Sequence, residues 1–167
     1  MNQHIIRRAL ISSLILVGCV LSACATPPIS TDTVTVKITP DDARNNPDSA
    51  KGTVIWGGVI VNAVNLADRT QIEVLDYPLD RHQRPDTRKA SRGRFLMQSP
   101  DYLETATYAP GRSITVLGTL QGVVRGSVGQ AKYDYPTMTI NDIHLWNPND
   151  LAERPRFIFG IGLQLGG

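Results

Sequence analysis

Thr53-Val54-Ile55-Trp56-Gly57-Gly58-Val59-Ile60-Val61-Asn62-Ala63-Val64-Asn65-Leu66 is the run on which the fold turns. Its Val and Ile content favours a strand. The pair Gly57-Gly58 inside it marks a bulge or a sharp coil of that strand. A long strand that coils in this way is what a small closed barrel requires.

Downstream, the same alternation recurs. A turn around Asp68 leads into 70–77, where Ile72 and Val74 face one way and Gln71 and Glu73 the other, until Pro78 ends the strand. A basic loop follows, then a short third strand at 93–98. Ser99-Pro100-Asp101 has the chemistry of an N-cap with proline in the first turn, so a short helix is expected through Glu104. Pro110-Gly111 turns the chain into a fourth strand at 112–124, with Ile114, Val116, Gly118, Leu120 and Val124 on one face. Gly126-Ser127-Val128-Gly129 reads as the hairpin loop to a fifth strand at 133–146. There Met138 and Ile140 point inward, and the apolar phase then slips to Ile143 and Leu145, which implies a bulge near Asp142.

Three strands, a short helix and two strands describe an all-β chain, a small five-stranded OB-fold-like barrel with one short helix. A β-sandwich is the alternative, but it usually needs about seven strands. The barrel is assigned to 51–148. An extra C-terminal strand is expected at 149–167, where Phe157, Phe159, Ile161, Leu163 and Leu165 share one face. That face either joins the sheet or meets a partner or the membrane.

Ahead of the barrel lies a leader. Arg7 and Arg8 precede an apolar stretch from Ala9 to Val20, which is too short for a membrane-spanning helix of about 20 residues. It closes on Leu21-Ser22-Ala23-Cys24, which resembles the lipobox of bacterial lipoproteins. On that reading 1–23 is a signal peptide and Cys24 becomes the acylated first residue, carrying covalent diacylglycerol and an N-acyl chain, with no other cofactor expected. Residues 24–50, rich in Pro, Thr, Asp and Asn, are read as a lipidated tether. Ala25 and Thr26, with no Asp after the cysteine, point by resemblance to the outer membrane of a Gram-negative cell.

Cleavage would remove Arg7 and Arg8 from the 17 basic residues and none of the 15 acidic ones, leaving the mature chain formally neutral. Net charge therefore supplies no argument for nucleic acid, which is not expected as a partner. Cys24 is the only cysteine after the leader, so the domain is stable without disulfides or cysteine-bound metal.

Several motifs together carry a family resemblance: Gly52-Thr53-Val54-Ile55-Trp56-Gly57-Gly58, Glu73-Val74-Leu75-Asp76-Tyr77-Pro78-Leu79, Gly93-Arg94-Phe95, Tyr108-Ala109-Pro110-Gly111-Arg112, and Tyr133 to Pro136 followed by Leu145-Trp146. In this order and with the lipobox, the chain resembles the Slp family of starvation-inducible outer-membrane lipoproteins. The resemblance implies an envelope lipoprotein associated with stationary phase or stress, with no established enzymatic activity. It also implies as partners the outer-membrane bilayer and the lipoprotein-processing and sorting machinery. The residues after Trp146 carry no part of the resemblance.

Catalytic patterns are sparse. His82 and His144 are the histidines left after the leader, and neither has a second His or a Cys at metal-ligand spacing, so no metal site is expected. Gly126-Ser127-Val128-Gly129 departs from a nucleophile elbow, because Arg125 stands where G-x-S-x-G starts with glycine. Asp76 and Asp134 each sit in Asp-Tyr-Pro, which reads as a strand corner ahead of a carboxylate pair.

The densest charge lies at 81–94, where Arg81, Arg84, Arg88, Lys89, Arg92 and Arg94 face the single acid Asp86. Guanidinium forks suit phosphates, so this loop is the candidate anion-binding site, for lipopolysaccharide, an anionic lipid or a peptidoglycan fragment. The competing reading is a solvated loop. Three functions follow in order: a non-enzymatic structural or protective envelope lipoprotein, a binding module for an anionic envelope glycan or lipid, and an enzyme built around His82 or His144.

Overall fold

The computed structural model of the protein describes residues 27–147. The leader with Cys24 and the expected strand at 149–167 lie outside them. Five strands, β1 (Lys51–Asn65), β2 (Thr70–Asp76), β3 (Arg94–Ser99), β4 (Ser113–Val128) and β5 (Ala131–Leu145), close into a ring in the order β1-β2-β3-β5-β4. Every neighbouring pair is antiparallel except β3 with β5, which run parallel through Leu96↔Thr137, Met97↔Met138 and Gln98↔Thr139. This is the all-β, OB-fold-like architecture that the strand pattern implies.

Alternation fills the ring. Val54, Trp56, Ile60, Ile72, Val74, Phe95, Met97, Ile114, Val116 and Met138 are buried together, and Trp56 meets Phe95 edge to face at 5.1 Å between centroids. Burying side chains of this size contributes about 1.5–3 kcal/mol each.

Gly57 and Gly58 sit where β1 changes partners. Residues up to Val59 pair with β4 and residues from Gly58 onward pair with β2. A Cβ on Gly58 would fall on the carbonyl oxygen of Leu75, so the glycine allows two backbones to approach closely. The bulge itself comes later in β1, between Ile60 and Asn62. In β5 the register against β4 skips Asn141, next to Asp142, as the phase slip implies. A second shift, between Leu120 and Gly122, was not legible. It turns Val124 outward, 44% exposed, and brings Val123 onto the core in its place.

Two expectations are corrected. The short helix does not follow Ser99. There the Ser99 hydroxyl accepts the Asp101 N–H at 3.1 Å and Thr70 Oγ1 accepts the Leu103 N–H at 2.9 Å, so the cap-like chemistry serves a bend. Among the described residues the α-helix is α1 (Pro40–Asn45), ahead of β1, with Pro40 in its first turn and a reciprocal capping box between Thr39 and Asp42.

Nor are the described residues of 24–50 a free tether. The segment 27–39 forms a strap along β1, held by Thr35 N–H to the Thr53 carbonyl at 2.9 Å, Thr53 N–H to Thr35 Oγ1 at 2.8 Å, and the Trp56 indole N–H to the Ile38 carbonyl at 2.7 Å. Val36 and Ile38 pack on the core, and Ala43 and Ala50 are wholly buried. A polar composition hid this because most of the ties are made by backbone groups.

Candidate functional site

The β2–β3 connection, residues 77–93, carries five of the six candidate cations. Its first half is a compact turn. The Asp80 carboxylate accepts the backbone N–H groups of His82 and Arg84 at 2.8 and 2.9 Å, the Asp80 N–H reaches the Arg84 carbonyl at 2.8 Å, and Leu79 bridges Pro85. These bonds place Gln83 at a φ of 64°, in the left-handed region that side chains other than Asn or Asp rarely take.

Gln83 is the hub of this end of the molecule. Its side-chain amide donates to the Ile29 carbonyl at 2.8 Å and its Oε1 accepts the Ile29 N–H at 3.0 Å. Its own carbonyl accepts from Thr115 Oγ1 at 2.6 Å, and Thr115 in turn accepts the Trp146 indole N–H at 3.0 Å. Gln83, Ile29 and Thr115 are all buried.

The six cations do not form one patch. Arg92 and Arg94 are spent on structure. Arg92 Nε meets Asp76 at 2.8 Å and Arg94 Nη1 meets Glu73 at 2.6 Å, where the Tyr135 hydroxyl is also bound at 3.1 Å. Arg84 lies 5.1 Å from the Trp146 ring centroid and donates to the Asn147 carbonyl at 3.4 Å. Arg88 grips Asp86 with two bonds of 2.7 and 3.0 Å, and Lys89 stands 4.0 Å from the same carboxylate. Arg81 donates to His82 at 2.8 Å. Arg81, His82, Arg88 and Lys89 are exposed and form the outer rim of the loop.

The electrostatics separate the interior from this rim. Asp76 has no exposed surface, and burial pushes its carboxyl up to about 6 against the opposing pull of Arg92 and the Gly57 N–H. Burial, then Glu73, raises the Tyr135 hydroxyl to about 12. On the rim, the Arg88 hydrogen bonds hold Asp86 below the usual carboxylate range. Asp134, the other Asp-Tyr-Pro acid, pairs with Arg125 at 3.2 Å on the surface. Each of these two aspartates is thus engaged by its own arginine.

Beside the strap runs a cleft of about 570 Å³ lined by Thr31, Val34, Val36, Lys37, Ile38, Thr39, Ile55, Trp56 and Arg92. A shallower depression of about 280 Å³ lies by Asp68, Arg69, Gln98, Ser99, Pro100 and Thr139. The outward face of β2 and β3, the face OB folds use for oligomeric ligands, presents the Gln71–Gln98 pair and the Glu73–Arg94 pair. His144 stacks edge-on against Trp146 at 4.4 Å, and among the described residues no three of His, Cys, Asp and Glu gather as metal ligands.

Sequence reasoning located the loop but missed its anchors, Gln83, Ile29, Asp76 and Glu73. Asp76-Tyr77-Pro78 was legible as a corner. A lone glutamine carries no signal of the main-chain clasp it makes 54 residues away.

Comparison with known proteins agrees with the motifs. The model of the Outer membrane lipoprotein Slp family matches residues 21–159. The chain is 28% identical over 107 residues to the outer membrane protein Slp of Escherichia coli, covering 64% of this chain and 56% of that protein. It is 29% identical over 92 residues to the uncharacterized lipoprotein YeaY of the same organism, covering 55% and 47%. The matched region thus spans about half the length of these relatives. Among solved structures, the mitochondrial single-stranded DNA binding protein Rim1 of S. cerevisiae aligns with a TM-score of 0.39 at 12% identity, over 58% of this chain and 96% of that one. A likeness at that level carries no argument about ligands. With the family model matching from within the lipobox to beyond β5, the chain belongs to the outer membrane lipoprotein Slp family.

Proposed function

We propose that Cys24 is the acylated residue that holds this outer-membrane lipoprotein to its bilayer, and that the barrel serves there as a non-enzymatic structural or protective element of the cell envelope. A single acyl chain binds membranes only marginally and two or more anchor stably, so a residue bearing a diacylglyceryl group and an N-acyl chain makes the attachment permanent. The observation that carries this reading is the strap. The chain from Ile29 to Ile38 is tied to the β2–β3 loop and to β1 through Ile29, Thr35 and Ile38, so the folded domain begins within five residues of Cys24. The polar side chains that sequence singled out support the same reading, since Arg92, Arg94 and Asp76 are engaged in ion pairs inside the fold.

Fractionation of cells expressing wild type and Cys24→Ala, with labelling by a fatty-acid probe, tests it. Wild type is expected in the outer-membrane fraction with label, and the variant released without label. A Cys24→Ala chain that stays in the membrane fraction would remove the basis for the anchor.

A further inference from the structure

We propose that the exposed rim of the β2–β3 loop, Arg81, Arg88 and Lys89, is a membrane-docking surface that rests on anionic phospholipid headgroups of the leaflet holding the Cys24 acyl chains. The proposal depends on the anchored reading and goes beyond it by giving the domain an orientation.

The clasp between Gln83 and Ile29 carries the argument. Both polar backbone groups of Ile29 are taken by one side-chain amide, at 3.0 and 2.8 Å, and the Ile29 side chain is 2% exposed. The chain is therefore fixed to the β2–β3 loop at a point five residues after Cys24. Five residues, fully extended, span at most about 18 Å. The loop that grips Ile29 is thereby held close to the bilayer. The tether places no such limit on the far end of β2, which lies about 20 Å further along that seven-residue strand.

Proximity decides whether these charges act. The potential of an anionic surface decays over about 8 Å at physiological ionic strength, so cations matter only where the fold brings them to the headgroups. Between Asp80 and Lys89 the chain carries four cations and two acids. Asp80 is turned onto the N–H groups of His82 and Arg84, and Asp86 is turned onto Arg88 and Lys89. The acid nearest Ile29 on the strap, Asp32, bonds the Ser30 hydroxyl at 2.8 Å. The exposed rim carries Arg81, Arg88 and Lys89 against the one carboxylate of Asp86, a net cationic surface of a kind that suits phosphodiesters. A patch this small is weak in free solution. Tethering supplies the effective concentration that makes it count.

The mature chain has no free thiol once Cys24 is acylated, so an introduced cysteine is labelled uniquely. The full lipidated chain would carry a fluorophore at Ala90→Cys, on the exposed loop, or at Ala67→Cys, in the β1–β2 turn. It would be reconstituted into vesicles of phosphatidylethanolamine with phosphatidylglycerol, of phosphatidylcholine, or of phosphatidylethanolamine with lipopolysaccharide, each with a headgroup-linked quencher. Quenching at Ala90 should exceed that at Ala67 with phosphatidylglycerol and fall to the same level in phosphatidylcholine. Each effective cation contributes about fivefold to the docked-to-undocked ratio. Arg81→Gln, Arg88→Gln and Lys89→Gln together, which also leave the Asp86 carboxylate without its cations, should lower that ratio about a hundredfold. Gln83→Ala should lower it while leaving the chain bound to vesicles.

Equal quenching at both positions on phosphatidylglycerol, or undiminished quenching in the triple variant, overturns the docking surface while leaving the anchor intact. Stronger loop quenching on lipopolysaccharide than on phosphatidylglycerol overturns the assignment to phospholipid. Failure of the wild-type chain to float with any vesicle strikes the anchor itself, and this proposal with it.

Discussion

Asp76 should make this barrel more stable in mild acid than at neutrality. Its carboxyl is wholly buried, and its folded pKa of about 6 lies above the ordinary 3.8. A group raised on folding contributes stability that is fully present below its unfolded pKa and is lost as pH rises through its folded one. The window therefore runs from about pH 4 to a little above pH 6, and the loss amounts to about 3 kcal/mol in all. Roughly 1.3 kcal/mol of that falls between about pH 5 and pH 7. Below about pH 4 the trend reverses, because Asp42, held low by the Thr39 hydroxyl, and Asp86, held low by Arg88, then gain protons they resist in the fold. The assay is urea unfolding of the acyl-free domain at a series of pH values, for wild type and Asp76→Asn. Wild type should lose stability from pH 5 to pH 7, and the variant, which keeps an acceptor oxygen without a titrating proton, should be nearly flat across that range. Parallel profiles for the two proteins would show that Asp76 is not the titrating group. Rising wild-type stability over that interval would refute the sign of the argument.

Gly58→Ala places a methyl on the Leu75 carbonyl where β1 passes from β4 to β2. It should cost about 3 kcal/mol or more, read as a drop in thermal midpoint, whereas Gly129→Ala in the hairpin turn meets no neighbouring atom and carries only the strain of its positive φ. Thr39→Ala removes the hydroxyl that accepts the Asp42 N–H at 3.1 Å and should cost about 1 kcal/mol of stability. Trp56→Phe deletes the indole donor to Ile38. Hydrogen exchange should then speed at the Val36 and Thr53 amides, which tie the strap to β1, while the amides of the β2–β3 ladder keep their protection.

The strands were legible because one physical signal, alternation against a buried face, governs them. Ile72 and Val74 against Gln71 and Glu73 needed no tertiary knowledge, and neither did the slip beside Asp142. What escaped has a common cause in contacts made across long separations or by the main chain. Val124 reads as a core residue until the shift at Gln121 inverts its face. The strap offers only Ile29, Val34, Val36 and Ile38 as apolar residues among prolines and threonines, and Thr39-Pro40-Asp41-Asp42 has the marks of a helix start with just Pro40 and Ala43 to bury. Arg92 and Arg94 looked free because their acids, Asp76 and Glu73, lie 16 and 21 residues away.

The strap also bears on the order in which this molecule assembles. Long hairpins with two-residue turns form early, and β4 with β5, joined through Gly129 and Gln130, is the most local pairing here. Ile29 and Ile38, by contrast, find their partners in Gln83, in β1 and, through Gln83, in Thr115 of β4. All of these come later in the chain and must already be in place. Of the described residues, those nearest the N-terminus are therefore the last to settle, once the wall beneath them has formed.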